Sequence, residues 1–160
     1  MVRLYTTCLM TLFEAVDTCF TKYVVFRGRA SRSEYWWFNL FVLAIGVIVR
    51  IFRGPIKVLS IIIGLAIFPP LIAVAVRRLH DLDRSGVFVL LPSVPLFAIA
   101  AMASIPLPPV DRYLLLPLLL LMAMVLYVVL MFWFCQRGTV GPNRFGDDPI
   151  ADSFEARSSA

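Results

Sequence analysis

Two long apolar segments flank the stretch Arg77-Arg78-Leu79-His80-Asp81-Leu82-Asp83-Arg84-Ser85-Gly86. This stretch contains the single histidine of the chain, three of its fifteen basic residues and two of its ten acidic residues. Because both neighbouring segments are long and apolar, we predict a short polar turn over 77–86 that lies at one face of a membrane.

The composition indicates an integral membrane protein. The chain has 160 residues, of which 61% are hydrophobic and 16% are charged, whereas globular domains are about half apolar and a quarter charged. The net charge is +5, but the basic residues lie in short clusters beside apolar segments. That pattern is typical of membrane proteins rather than of a nucleic-acid-binding groove. We therefore predict one integral membrane domain over 1–160 and no nucleic-acid partner.

The N-terminal region predicts an amphipathic helix over 9–24 that lies in the membrane interface or packs on the cytosolic face of the helix bundle. Apolar residues recur at helical spacing at Leu9, Leu12, Phe13, Val16, Phe20 and Tyr23, and polar residues face away at Thr11, Glu14, Asp17 and Lys22. No cleavable signal peptide is expected, because Glu14 and Asp17 interrupt the apolar region.

Four further apolar segments predict transmembrane helices at about 35–52, 56–76, 87–105 and 113–134. A crossing of about 30 Å needs about 20 helical residues. Prolines should kink two of these helices, the second at Pro69-Pro70 and the third at Pro92 and Pro95. Residues 150–160 are expected to be disordered.

The distribution of Lys and Arg predicts the orientation. Four spans place both termini and the 77–86 turn on one side, which carries eleven basic residues: Arg3, Lys22, Arg27, Arg29, Arg32, Arg77, Arg78, Arg84, Arg137, Arg144 and Arg157. The other side carries four: Arg50, Arg53, Lys57 and Arg112. Because positively charged loops stay in the cytosol, we expect both termini of this multi-pass protein to be cytosolic.

Three polar stretches, in this order, resemble one bacterial family. They are Phe26-Arg27-Gly28-Arg29-Ala30-Ser31-Arg32-Ser33-Glu34-Tyr35-Trp36, the 77–86 stretch, and Gly138-Thr139 through Gly141-Pro142-Asn143-Arg144-Phe145-Gly146-Asp147-Asp148-Pro149. Over about 10–149 the chain is similar to the inner-membrane family named domain of unknown function 805, of the YhaH-like type. The resemblance implies a small four-span protein and supplies no established activity. Asp83 stands where that family often has glycine, and Val87 where it often has tryptophan.

The three polar stretches are predicted to meet in a charged collar on the cytosolic side. The candidate ligand-binding or lipid-headgroup-binding residues are Arg29, Arg32, Glu34, Asn39, Arg77, Arg78, His80, Asp81, Arg84, Asn143, Arg144, Asp147 and Asp148. One interpretation is a structural latch, in which ion pairs lock the loops and arginines bind lipid phosphates. If the second helix continues past residue 77, Arg77 and Arg78 both have helical neighbour spacing to Asp81.

The second interpretation is a ligand site. The proline kinks lie about 10 Å below the cytosolic surface and free backbone carbonyls, which must find donors inside a membrane. Asn39 and Ser93 are at suitable depths to help. This predicts a shallow hydrated cleft lined by Asn39 and the 77–84 turn, with simple packing kinks as the alternative.

A metal centre, a cofactor or an enzymatic activity is not expected. The cysteines Cys8, Cys19 and Cys135 fit neither a zinc site nor a disulfide framework, and Asp147-Asp148 lacks the spacing of a calcium loop. No nucleophile–base arrangement accompanies His80. We predict a non-enzymatic accessory protein that binds lipid headgroups or a membrane or cytosolic protein through its collar. The alternative is a small-solute transporter or channel, acting as a homo-oligomer through the cleft.

Overall fold

The computed structural model describes residues 10–51, 57–104 and 108–151. In these ranges the regular elements are helical: α1 (Leu12–Thr21), α2 (Arg32–Ile51), α3 (Lys57–Asp81), a 3-10 helix (Gly86–Leu90), α4 (Ser93–Ser104) and α5 (Pro109–Cys135). Three of them, α2, α3 and α5, are long and apolar enough to cross a membrane. The prediction of an all-helical membrane protein is therefore confirmed. Predictions that concern Arg3, Cys8, Leu9, Arg53, Arg157 and residues 52, 56, 105 and 152–160 fall outside the described residues.

The second predicted span is longer than expected. Helix α3 continues to Asp81, so the prediction that the polar turn begins at Arg77 is wrong, because the first five residues of the stretch continue the helix. The helix ends in a Schellman arrangement, in which the Asp83 N–H bonds the His80 carbonyl at 3.0 Å and the Arg84 N–H bonds the Leu79 carbonyl at 2.9 Å. Asp83 takes the left-handed conformation at φ 54°, which explains why glycine suits this position.

The third predicted span, 87–105, is divided into two short elements. The 3-10 helix packs against α3, and α4 packs along α5. The break falls at Pro92, which cannot donate a backbone hydrogen bond. Helix α4 has 12 residues, which gives a length of about 18 Å and is too short for a crossing by itself.

Helix α1 is shorter than the predicted 9–24 and packs against α2 and α3. A capping box begins it: the Thr11 hydroxyl accepts the Glu14 N–H, and the Glu14 carboxylate accepts the Thr11 N–H. Ala15 and Cys19 are its buried residues, whereas Phe13 is 83% exposed. Small residues therefore allow the close approach of α1 to α2 and α3, and Phe13 lies outside this packed face.

The proline pair in α3 is accommodated by Tyr23, which follows α1. Pro70 has no N–H, so the Ala66 carbonyl loses its helical donor. The Tyr23 hydroxyl donates to this carbonyl at 2.5 Å. Neither predicted helper does so, because Asn39 donates to the Tyr35 carbonyl and Ser93 to the Leu90 carbonyl.

The tail after α5 folds back onto the end of α3. Two backbone hydrogen bonds close a turn between Asn143 and Gly146. Residues 149–151 form one helical turn, so the predicted disordered segment begins with ordered residues.

Candidate functional site

Five charged residues are buried together where α2 begins and where α3 and α5 end. They are Arg29, Glu34, Arg77, Arg78 and Asp81, and the side chain of each is at most 6% exposed. We call these five residues the charge cluster. Buried charges are costly unless they are paired and hydrogen-bonded, so the partners of each residue decide what the cluster does.

Asp81 is the centre of the cluster. One carboxylate oxygen accepts from Nε of Arg29 at 3.0 Å and lies 2.9 Å from its Nη2. The other oxygen accepts from Nη1 of Arg78. The Asp81 backbone carbonyl accepts from the N–H and the hydroxyl of Thr139, at 2.9 Å and 3.1 Å. One residue thus connects the loop before α2, the end of α3 and the tail.

Arg78 binds the end of α5. Its guanidinium donates to the carbonyls of Phe134 and Gln136. The last carbonyls of a helix lack helical donors and carry the negative end of the helix dipole. The Arg78 guanidinium therefore supplies hydrogen-bond donors to these carbonyls and a positive charge at the negative end of the α5 dipole.

Arg29 holds the tail in the same way. Its terminal nitrogens donate to the carbonyls of Thr139, Gly141 and Gly146. The chain passes so close to Asp81 that a Cβ atom on Gly138 would lie 2.0 Å from an Asp81 carboxylate oxygen. Only glycine fits there.

Arg77 and Glu34 form the third ion pair of the cluster, with Nη2 3.1 Å from Oε1. The thiol of Cys19 lies 3.9 Å from the same carboxylate oxygen. Burial and the negative charge of Glu34 together raise the pKa of the Cys19 thiol to about 12. A thiol that stays protonated is a weak nucleophile.

An outer layer of side chains covers the cluster. The His80 ring stacks on Phe145, with 3.9 Å between ring centroids and an interplanar angle of 3°. The Asn143 amide donates to the His80 carbonyl at 2.9 Å. Arg144 pairs with Asp83 at 2.9 Å, and both side chains are about half exposed. These contacts attach the tail to the end of α3 a second time.

The structure brings together most of the candidate residues predicted from the sequence. Arg84 lies over the Trp133 ring, 4.0 Å from its centroid, and Asp148 accepts the Gly141 N–H at 3.1 Å. Arg32 and Asp147 are exposed outside the cluster. Among the described residues, no group of three or more His, Cys, Asp or Glu side chains is placed to hold a metal ion.

Asn39 is separate from the other candidates. It lines a pocket of about 230 Å³ with Tyr35, Leu71, Ile72, Ala75, Val89, Tyr127, Met131 and Phe134. The predicted cleft joined Asn39 to the 77–84 turn. The pocket contains Asn39 but no residue of that turn, because α3 continues as a helix and directs the charged side chains into the cluster.

Sequence reasoning missed several residues of the site. The sequence did not indicate that Cys19 contacts Glu34 or that Gly138 lies against Asp81. Gly138 does belong to the third family-like motif. The carbonyls of Phe134, Gln136 and Thr139 carry no signal in the sequence, since every residue has a carbonyl.

A family model described as "Protein of unknown function (DUF805)" matches residues 23–147. This range includes the whole charge cluster and the tail as far as Asp147. The chain belongs to this family. In Escherichia coli K12, inner membrane protein YhaI is 36% identical over 131 residues, which cover 79% of this chain and 87% of the relative. Inner membrane protein YhaH is 33% identical over 135 residues, which cover 79% of this chain and 88% of the relative. No solved structure matches the chain.

Proposed function

We propose that this protein is a non-enzymatic, multi-pass inner-membrane protein that binds anionic lipid headgroups at its charge-cluster end. The supporting observation is a separation of the basic residues into two layers. The arginines of the charge cluster are buried and directed inward, whereas four other cations are exposed around it: Lys22, Arg27, Arg32 and Arg137. We call these four the exposed rim, and none of them forms an ion pair with another described residue.

The two layers suit different tasks. Cluster arginines already bind carboxylates and carbonyls, so they act as a latch between three parts of the chain. Rim cations are free to meet phosphate, which guanidinium groups bind in a bidentate manner. Each cation near an anionic membrane surface contributes about 1 kcal/mol, so four of them give a preference of about a thousandfold.

The helix ends support four membrane crossings. Helices α3 and α5 both end at the charge cluster, so a spanning α5 begins at the opposite face. The chain between Asp81 and Pro109 must then cross once more. Its 3-10 helix and α4 together give about 28 Å, close to the hydrocarbon thickness of about 30 Å. With the count of eleven basic residues against four, this arrangement supports a cytosolic charge cluster.

Lipid analysis of the purified protein tests the proposal. Protein extracted with its native lipids should retain phosphatidylglycerol and cardiolipin in excess over phosphatidylethanolamine, relative to the source membrane. We expect the combined variant Lys22→Gln, Arg27→Gln, Arg32→Gln and Arg137→Gln to lose this excess and its salt sensitivity. Arg50→Gln with Arg112→Gln is the control from the other ends of the helices, and the rim pair Arg27→Gln with Arg137→Gln matches it in charge. Equal enrichment in rim and control variants would refute headgroup binding.

The same purification tests a protein partner for the rim. A stoichiometric protein that the rim variant loses and the control retains would assign the surface to that partner. The other candidate function is an oligomeric small-solute transporter or channel, which one observation favours: Asn39 lines a pocket. Solute flux in proteoliposomes that Asn39→Leu abolishes would establish transport.

A further inference from the structure

The pocket around Asn39 is lined mainly by apolar side chains, with three neutral polar residues. Six of its nine lining residues are Leu, Ile, Ala, Val, Met or Phe, and the other three are Tyr35, Asn39 and Tyr127. No lining residue is charged. We propose that the pocket binds an uncharged molecule dissolved in the bilayer, with an apolar body and one hydroxyl or carbonyl oxygen.

The depth of the pocket favours a ligand from the bilayer. Asn39 lies seven residues beyond Arg32 on α2, and Tyr127 lies eight residues before Cys135 on α5. At 1.5 Å per residue, both are about 10–12 Å from the charged ends of the helices. A charged or strongly hydrated solute would lose its water there without finding an opposite charge.

The route into the pocket also favours the bilayer. At the charged end, Phe134 lines the pocket while its carbonyl binds the fully buried Arg78. The charge cluster therefore closes this end. On α5, Tyr127 is 55% exposed on a helix that is long and apolar enough to cross the membrane. The opening thus lies beside Tyr127, on the side where lipid would surround α5.

Asn39 provides the specificity for an oxygen. One of its amide N–H groups donates to the Tyr35 carbonyl at 2.8 Å. A primary amide has a second N–H and a carbonyl oxygen, so it can donate to or accept from a ligand oxygen. The pocket volume of about 230 Å³ exceeds the roughly 150 Å³ cavity that holds benzene. It has room for one ring or one length of chain, not for a whole phospholipid.

Photochemical labelling in proteoliposomes tests this inference. The probe is a long-chain primary alcohol with a diazirine on its chain, and the comparison probe is the matching alkane without the hydroxyl. We expect the alcohol to label residues of α2 and α5 that line the pocket. Asn39→Leu should lower this labelling two- to tenfold, the effect of one hydrogen bond, and should leave alkane labelling unchanged.

Filling variants separate the pocket from general lipid contact. Ala75→Leu should remove pocket labelling by both probes, and Ile72→Phe provides a second filling variant if the first does not fold. Leu43→Ala, at an exposed position of α2 outside the pocket, should leave labelling by both probes unchanged. The rim variant should also label normally, so failure of headgroup binding is distinguishable from failure of the pocket. Equal labelling in the wild type and the folded filling variants, or alcohol labelling that ignores Asn39→Leu, would overturn the inference.

Discussion

Asp81 connects the loop before α2, the end of α3 and the tail. It pairs with Arg29 and Arg78, and its backbone carbonyl binds Thr139. Removal of one partner from a buried ion pair costs about 3–5 kcal/mol, because the other charge stays buried without compensation. The carboxylate therefore has little freedom to move, so a residue beside it cannot gain a larger side chain without a steric clash.

Gly138→Ala should destabilise the protein by about 1–3 kcal/mol or more. The new Cβ would overlap the Asp81 carboxylate, which two guanidinium groups hold in place. Thermal unfolding in detergent measures the loss, and limited proteolysis after residue 138 should become faster. Gly64→Ala is the control, since a Cβ there meets nothing within 4 Å. Equal stability of the two variants would contradict this account of the tail.

Asp83→Gly should be more stable than Asp83→Asn by about 1 kcal/mol. Both variants lose the exposed ion pair with Arg144, which contributes about 0–1 kcal/mol. Only glycine adopts the left-handed conformation at this position without steric cost. Thermal unfolding of both variants checks the order, and a less stable glycine variant would show that the left-handed residue is not strained.

At the scale of elements, side chains donate hydrogen bonds to backbone carbonyls that lack a helical donor, at a helix end and at a proline. Arg78 binds the last carbonyls of α5, and Tyr23 binds the carbonyl that Pro70 leaves without a donor. In hydrocarbon, no water can take over such a hydrogen bond. Helix α1 therefore packs against α3, and the segment that follows α1 is hydrogen-bonded to α3 through Tyr23.

Tyr23→Phe should cost about 1–3 kcal/mol, because the Ala66 carbonyl loses its donor in an apolar environment. In a Pro70→Ala background the restored N–H can bond Ala66, so the same substitution should cost much less. A double-mutant cycle from unfolding measurements gives the coupling between the two sites. Additive effects would mean that Tyr23 does not compensate for Pro70.

At the scale of the whole molecule, the topology follows from which helix ends meet. The charge cluster joins the start of α2 to the ends of α3 and α5, so Ser85 and Val140 should lie on one side of the membrane and Pro108 on the other. Ser85 and Pro108 are exposed, and Val140 is 97% exposed.

Single cysteines at these three positions test the fourth crossing. In a background with Cys8→Ser, Cys19→Ala and Cys135→Ser, an impermeant maleimide should label Pro108→Cys in intact spheroplasts. Ser85→Cys and Val140→Cys should be labelled only after the membrane is opened. Labelling of Ser85→Cys and Pro108→Cys from the same side would exclude a crossing between Asp81 and Pro109.

The sequence alone determined that the protein is helical and that it belongs to its family. It predicted four spans, of which three are single helices long and apolar enough to cross a membrane in the described structure. Length and hydrophobicity are local properties, and the family motifs are read directly from the residues. It also placed the charged candidates in three stretches, because charge in an apolar chain is conspicuous.

Only the tertiary structure decided what these charges bind. The backbone carbonyls that receive Arg29, Arg78 and Tyr23 look alike in any sequence, and helix packing alone determines which of them comes within reach. Helix packing also places Asn39 in a pocket that contains no residue of the 77–84 turn. Residues 77–81 were predicted as part of a turn but form the end of α3. The Schellman arrangement at Asp83 and the buried ion pairs stabilise this additional helical turn.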